Sequence, residues 1–157
     1  MRLALALTIA LGACSPPGPT ECGTGSGSVE VGRGGSRIRS LPPSGGELDI
    51  VRGSQGGIHV LVGAWVEGMD LDLTLSYRLE EAGELVGAPS EIPLRAALFA
   101  PAGERYVRHP DLIVLDNFSP SVDQYVGRTV DLTAEAVSAD GSHACDTRSV
   151  VLTDPGI

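Results

Sequence analysis

From Leu71 to Glu80 the chain alternates without a slip, with Leu71, Leu73, Leu75, Tyr77 and Leu79 interleaved by Asp72, Thr74, Ser76, Arg78 and Glu80. Successive side chains of an extended strand point to opposite faces, so a period of two predicts a strand with one dry and one wet side. Val130, Leu132, Ala134 and Ala136 repeat the pattern against Asp131, Thr133 and Glu135. After Ala139-Asp140-Gly141-Ser142 a β-rich run from Cys145 to Thr153 follows. Asp-Gly between two such runs predicts a hairpin closed by a type I′ turn, whose central residues both need positive φ. From Gly57 to Glu67 both faces are apolar, Ile58, Val60, Val62, Ala64 and Val66 against Leu61 and Trp65, which suits a central strand. Gly63 within it marks a bulge or a close backbone approach. Periodicity places Trp65 and Tyr77 toward the core.

Shorter strands are expected at Ser28 to Gly32, Arg37 to Leu41, Glu47 to Arg52, Ile92 to Phe99, and Tyr106 to Val107, resuming beyond His109-Pro110 as Leu112 to Leu115. The best helical window, Leu79 to Val86, ends at Gly87-Ala88-Pro89 and allows a turn or two. With 21 glycines and 11 prolines in 157 residues, the expectation is a single all-β domain, an antiparallel sandwich of roughly seven to nine short strands.

The amino terminus is of another kind. MRLALALTIALGAC carries one positive charge at Arg2 and an apolar run from Leu3 to Leu11 interrupted only by Thr8. That run is far shorter than the roughly twenty residues a bilayer-spanning helix needs, and reads as a secretory signal. Leu11-Gly12-Ala13-Cys14 resembles the lipobox of bacterial lipoproteins, in which the chain is cut before the cysteine and the thiol carries a diacylglycerol. The resemblance implies a signal peptide over 1–13, lipidation at Cys14 and a membrane partner reached through the lipid; Ser15 after the cysteine favours the outer membrane of a Gram-negative envelope. The alternatives are an ordinary secretory signal cut after Ala13 or nearby and a leader that stays uncleaved. Residues 14–27, with Ser15-Pro16-Pro17-Gly18-Pro19 and Gly23-Thr24-Gly25-Ser26-Gly27, have the Pro-rich and Gly/Ser-rich composition of a tether. The folded domain is expected over 28–157.

Assigning Cys14 to lipid leaves Cys22 and Cys145, which an oxidising compartment would join as one disulfide. Two free thiols or a metal pair are the alternatives. No His or Cys lies near Cys22 and no C-x-x-C spacing is present to complete a zinc site.

The succession of a wet-and-dry strand, a turn at Gly127-Arg128-Thr129, a second strand, Asp140-Gly141 and a closing strand resembles the last hairpin of immunoglobulin-like domains in bacterial surface proteins. That likeness implies a first strand running parallel beside the last, with Cys22 and Cys145 at one end. Arg52-Gly53-Ser54-Gln55-Gly56-Gly57-Ile58-His59-Val60 is also similar to a glycine-rich loop and strand of uncharacterised bacterial lipoproteins, and implies no activity. The inter-sheet disulfide and neighbouring Trp of antibody domains are missing, so the kinship is architectural.

Chemistry is sparse. All eleven basic residues are arginine, and twenty acids bring the net charge to -9, which disfavours nucleic acid as a partner. There is no G-x-S-x-G, H-E-x-x-H, G-x-x-x-x-G-K-[ST] or G-x-G-x-x-G. The glycine-rich runs near 23–35 precede a strand, whereas a phosphate loop opens a helix. His59 reads as a hydrogen-bonded sheet residue, and His109 and His143 as solvated. Asp70 and Asp72 form the one close pair of aspartates, without a calcium-binding frame. Of the aromatics, Tyr106, Phe118 and Tyr125 remain as surface anchors flanking Asp116 to Ser121, a candidate interaction patch. No catalytic residue, metal or cofactor is expected. The expectation is a non-enzymatic, lipid-anchored envelope module binding another envelope protein or serving structurally. Rivals are a small-ligand or calcium-binding envelope protein and an envelope hydrolase without a recognisable motif.

Overall fold

The computed structural model describes residues 27–116 and 121–156. The elements are β1 (Ser28–Arg33), β2 (Arg39–Ser40), β3 (Gly46–Arg52), β4 (Ile58–Glu67), β5 (Leu73–Glu81), β6 (Glu84–Leu85), β7 (Ser90–Leu94), a 3-10 turn (Ala96–Leu98), β8 (Ala100–Ala102), β9 (Arg105–Asp116), β10 (Thr129–Ser138) and β11 (His143–Thr153). The eleven strands exceed the expected count because β2, β6 and β8 are fragments of two or three residues that cover the ends of longer neighbours. The ladder is mostly antiparallel and open.

Two layers form because β3 serves both. Its first half, Gly46 to Asp49, runs parallel beside Val150 to Thr153 of β11. Its second half pairs antiparallel, Ile50 to Arg52 against Ile58 to Val60 of β4. One layer is therefore β1, β4, β9 and β8, and the other β11, β10, β5 and β7. The parallel partner of the last strand is β3; the first strand lies against β4 instead. Leu48, Ile50, Val60, Val62, Leu75, Tyr77, Leu79, Ile113, Leu132 and Leu152 fill the space between the layers. Asp146 also joins them, its Oδ2 accepting the Val31 N–H at 2.9 Å and Arg148 Nε–H at 2.9 Å.

β4 has neighbours on both sides, as its apolar composition requires, and its Ile58, Val60, Val62, Ala64 and Val66 are all buried. Trp65 lies on the other face, half-buried beneath Arg105, whose guanidinium sits 5.3 Å from the ring centroid. The expectation of a core Trp65 is corrected: the alternation that buries Val66 turns Trp65 outward.

At Gly63 the ladder slips. Val62 pairs with Asp111 and Ala64 with Arg108, so His109 and Pro110 together oppose Gly63. A Cβ on Gly63 would stand 2.8 Å from Arg108 O and 2.8 Å from His109 Cβ. Pro110 is tolerated because a bulge leaves its residue outside the ladder. β9 thus continues through the segment read as a break.

Two turns differ from expectation. Ser138 N–H donates to Ser142 O at 2.9 Å and Gly141 N–H to Ser138 O at 3.0 Å. This is a three-residue loop with positive φ at Gly141 alone (87°), and Asp140 Oδ1 accepts the Ser142 N–H. The type I′ turn stands instead at Ala82 (φ 52°) and Gly83 (φ 84°), between the paired Glu81 and Glu84, where the helical window was read. The Ile92 to Phe99 strand breaks after Leu94 into the 3-10 turn.

Candidate functional site

The bulge at Gly63 carries the one buried charged side chain among the described residues, Asp111. Positions i and i+3 of a regular strand face opposite ways; the extra residue puts Arg108 and Asp111 on the same face, opposite the buried Ala64 and Val62. Asp111, 3% exposed, accepts Arg108 Nη2–H through Oδ1 at 2.9 Å and the Tyr77 hydroxyl through Oδ2 at 3.1 Å. Burial pushes the Tyr77 phenol well above its ordinary value, and the Asp111 charge and hydrogen bond push the same way. A nucleophile or base needs an accessible lone pair and a matched pKa. Here both carboxylate oxygens are engaged and the phenol is held neutral, so the trio ties β5 to β9.

The outer face of the β4 layer carries an open cleft of about 650 Å³ between the Gly53 to Gly57 loop and β9, lined by His59, Leu112 and Val114. Gly53 N–H donates to Gly57 O and Gly56 N–H to Gly53 O, which shapes the loop into a tight cap. Leu112 is 48% exposed. On the outer face of the other layer, Glu135 lies between Arg78 Nη1 at 3.3 Å and His143 Nε2 at 2.7 Å.

The histidines are less solvated than expected. His109 lies within β9 with its Nδ1 buried, and His143 opens β11 with 16% of its side chain exposed beside Glu135. Asp72 precedes β5, its N–H donating to Asp70 Oδ1 at 3.1 Å. Among the described residues no three of His, Cys, Asp and Glu converge as a metal site.

Cys14, Cys22 and Phe118 lie outside the described residues. Cys145 stands near the start of β11, opposite Glu135. Tyr106 is 43% exposed near the start of β9. Tyr125 is half-buried, its hydroxyl donating to Leu115 O at 3.0 Å and its ring lying 5.9 Å from the Arg128 guanidinium. Burial, with the Asp116 charge second, raises its phenol above the ordinary value. Tyr106 and Leu115 are nine residues apart along one strand, about 30 Å at the usual strand rise. The structure does not bring the two tyrosines together.

Sequence reasoning passed over one cluster. Arg33, Arg37 and Arg39 border a cleft of about 220 Å³ with Gly34, Gly35, Ser36 and Asp49. The signal was present in the run Arg33-Gly34-Gly35-Ser36-Arg37-Ile38-Arg39, three positive charges in seven residues of an acidic chain.

No family model matches the chain, and no curated protein does. Among solved structures, the N-terminal domain of PorA aligns over 82% of this chain and 99% of that domain, at 13% identity and a TM-score of 0.31. A likeness of that size bears on neither the activity nor the partners of this chain.

Proposed function

We propose that this protein is a non-enzymatic, lipid-anchored module of the bacterial cell envelope, held through Cys14 to a membrane, the outer one in a Gram-negative cell, and presenting its β-sandwich to another envelope protein. The observation that carries the reading is the Leu11-Gly12-Ala13-Cys14 leader followed by a Pro- and Gly/Ser-rich tether. Acyl chains contribute about 0.8 kcal/mol per buried methylene, and two or more anchor stably. The acidic domain, at -9 net charge for the whole chain, is repelled on balance by anionic headgroups, and its tether lets it stand off the membrane.

A Cys22 to Cys145 disulfide belongs to the same reading. Gly27 packs against Gly68 and Met69 at the turn after β4. The hairpin leading into β11 closes on the same end, with Ala139 N–H donating to Asp72 O at 3.0 Å. Cys145 lies two residues into β11, just beyond that hairpin, at the end of the sandwich where Ser28 begins β1.

Fractionation of cells expressing the wild type and Cys14→Ala tests the anchor. The wild type is expected in the membrane fraction and the variant in the soluble one; a wild type that is soluble, or a variant that stays with the membrane, overturns it.

A further inference from the structure

The geometry points to a phosphate-binding site formed by Arg33, Arg37 and Arg39 around the β1–β2 turn. Its position is set by the fold. Along one edge of β4, β1 covers Val62 to Glu67 and β3 covers Ile58 to Val60. Between them the chain leaves the sheet, with Gly34 N–H donating to Leu61 O at 2.8 Å, and the turn projects from this seam.

Three observations converge there. Six arginines, Arg52, Arg78, Arg105, Arg108, Arg128 and Arg148, are ion-paired. Four described arginines, Arg33, Arg37, Arg39 and the solitary Arg95, make no ion pair or side-chain hydrogen bond among the described residues, although acids outnumber bases twenty to eleven, and three of the four are gathered at this turn. Second, Arg33 and Arg39 are direct cross-strand partners. Like charges placed opposite one another destabilise a ladder, so the pair opposes the fold locally and an anion between them would relieve it. Such breaches of a local rule concentrate at functional positions. Third, all three arginines border one cleft of about 220 Å³. That is below the roughly 300–1,000 Å³ of drug-sized pockets and suits a small oxyanion. Asp49, the single acid on its rim, has Oδ1 engaged by the Thr153 hydroxyl at 3.0 Å.

The guanidinium group is a planar fork that grips phosphate oxygens in pairs, and several such forks on one anion are favoured over a single point charge. The ligand class is a phosphate group, free or carried by a lipid headgroup. The site does not rest on the anchor at Cys14.

Calorimetric titration of the full chain in uncharged detergent micelles tests it, using inorganic pyrophosphate and glycerophosphoglycerol, the water-soluble headgroup of an anionic lipid, at low and high salt. Binding of either probe that weakens at least tenfold in Arg33→Gln/Arg39→Gln, or in Arg37→Gln alone, and is unchanged in Arg95→Gln, supports the site. Pyrophosphate alone would identify free phosphate as the source, and glycerophosphoglycerol as well would identify the headgroup. Arg33→Lys/Arg39→Lys should bind more weakly than wild type, because charge without the fork is not enough. The double Gln variant is expected to melt no lower than wild type without ligand, which separates lost binding from lost folding. No binding of either probe, equal binding by the Gln variants, or an equal loss in Arg95→Gln overturns the proposal.

Discussion

Removing the carboxylate of Asp111 is the most informative single change to this fold. Asp111 is 3% exposed and serves two donors from different elements, the Tyr77 hydroxyl at 3.1 Å and Arg108 Nη2 at 2.9 Å. Asp111→Ala leaves a guanidinium without its counter-charge and a buried hydroxyl without an acceptor. Breaking a fully buried pair from one side costs about 3–5 kcal/mol because the surviving charge stays buried; Arg108 keeps 26% of its side chain exposed, so the loss expected here is smaller, about 2–4 kcal/mol. Single domains have about 5–15 kcal/mol in all, so the variant should retain its fold with little margin. Urea unfolding followed by the fluorescence of Trp65, the single tryptophan, gives the loss directly. The double-mutant cycle sharpens it. Tyr77→Phe alone removes a hydrogen bond to a charged acceptor, about 1.5–3 kcal/mol. In the Asp111→Ala background the same change should cost little or stabilise, because it deletes an already orphaned hydroxyl. A loss below about 1 kcal/mol for Asp111→Ala, or strictly additive losses in the cycle, would refute the reasoning.

The folded Tyr77 phenol lies above its unfolded value, so its contribution is complete below about pH 10 and declines as the unfolded chain ionises above that; Tyr77→Phe should flatten the fall in melting temperature above about pH 10. Asp154, held to about 2 by its bidentate Arg52 contacts, should titrate near that value in a carboxyl-detected NMR experiment and move toward the ordinary carboxylate range in Arg52→Gln. Ala82, at φ 52° in the turn between β5 and β6, bears the left-handed penalty of roughly 1–2 kcal/mol; Ala82→Asn should raise stability by up to about 1 kcal/mol in chemical denaturation. Gly63→Ala forces a Cβ to within 2.8 Å of Arg108 O and should cost roughly 1–3 kcal/mol, with no change the result that would count against the bulge.

Long alternating segments were legible because one face is buried along their full length. The run at Leu73, Leu75, Tyr77 and Leu79 fixes β5, and the doubly apolar Ile58 to Val66 marks β4 as central. Gly63 was legible too, since glycine inside such a strand has few other uses. What escaped depends on partners distant in sequence. That β3 changes layers between Asp49 and Ile50 follows from β4 and β11 each having an open edge, which no local pattern carries. Asp111 reads as a surface acid until the bulge turns it inward beneath Tyr77. The hairpin at Asp140-Gly141 was placed correctly, but the choice of loop was made by the Asp140 carboxylate accepting Ser142 N–H. The arginine cluster carries no local signature, because a phosphate loop is marked by glycines that open a helix, whereas Gly34 and Gly35 lie between two strands.

The proposed function requires a lipid-anchored domain closed by one disulfide. Its most direct test is the intact mass of the protein taken from its native membrane, with thiols alkylated before and after reduction. The chain is expected to begin at Cys14 and carry acyl chains, with alkylation of Cys22 and Cys145 appearing only after reduction. A chain without lipid, or one whose two thiols alkylate without reduction, would contradict it.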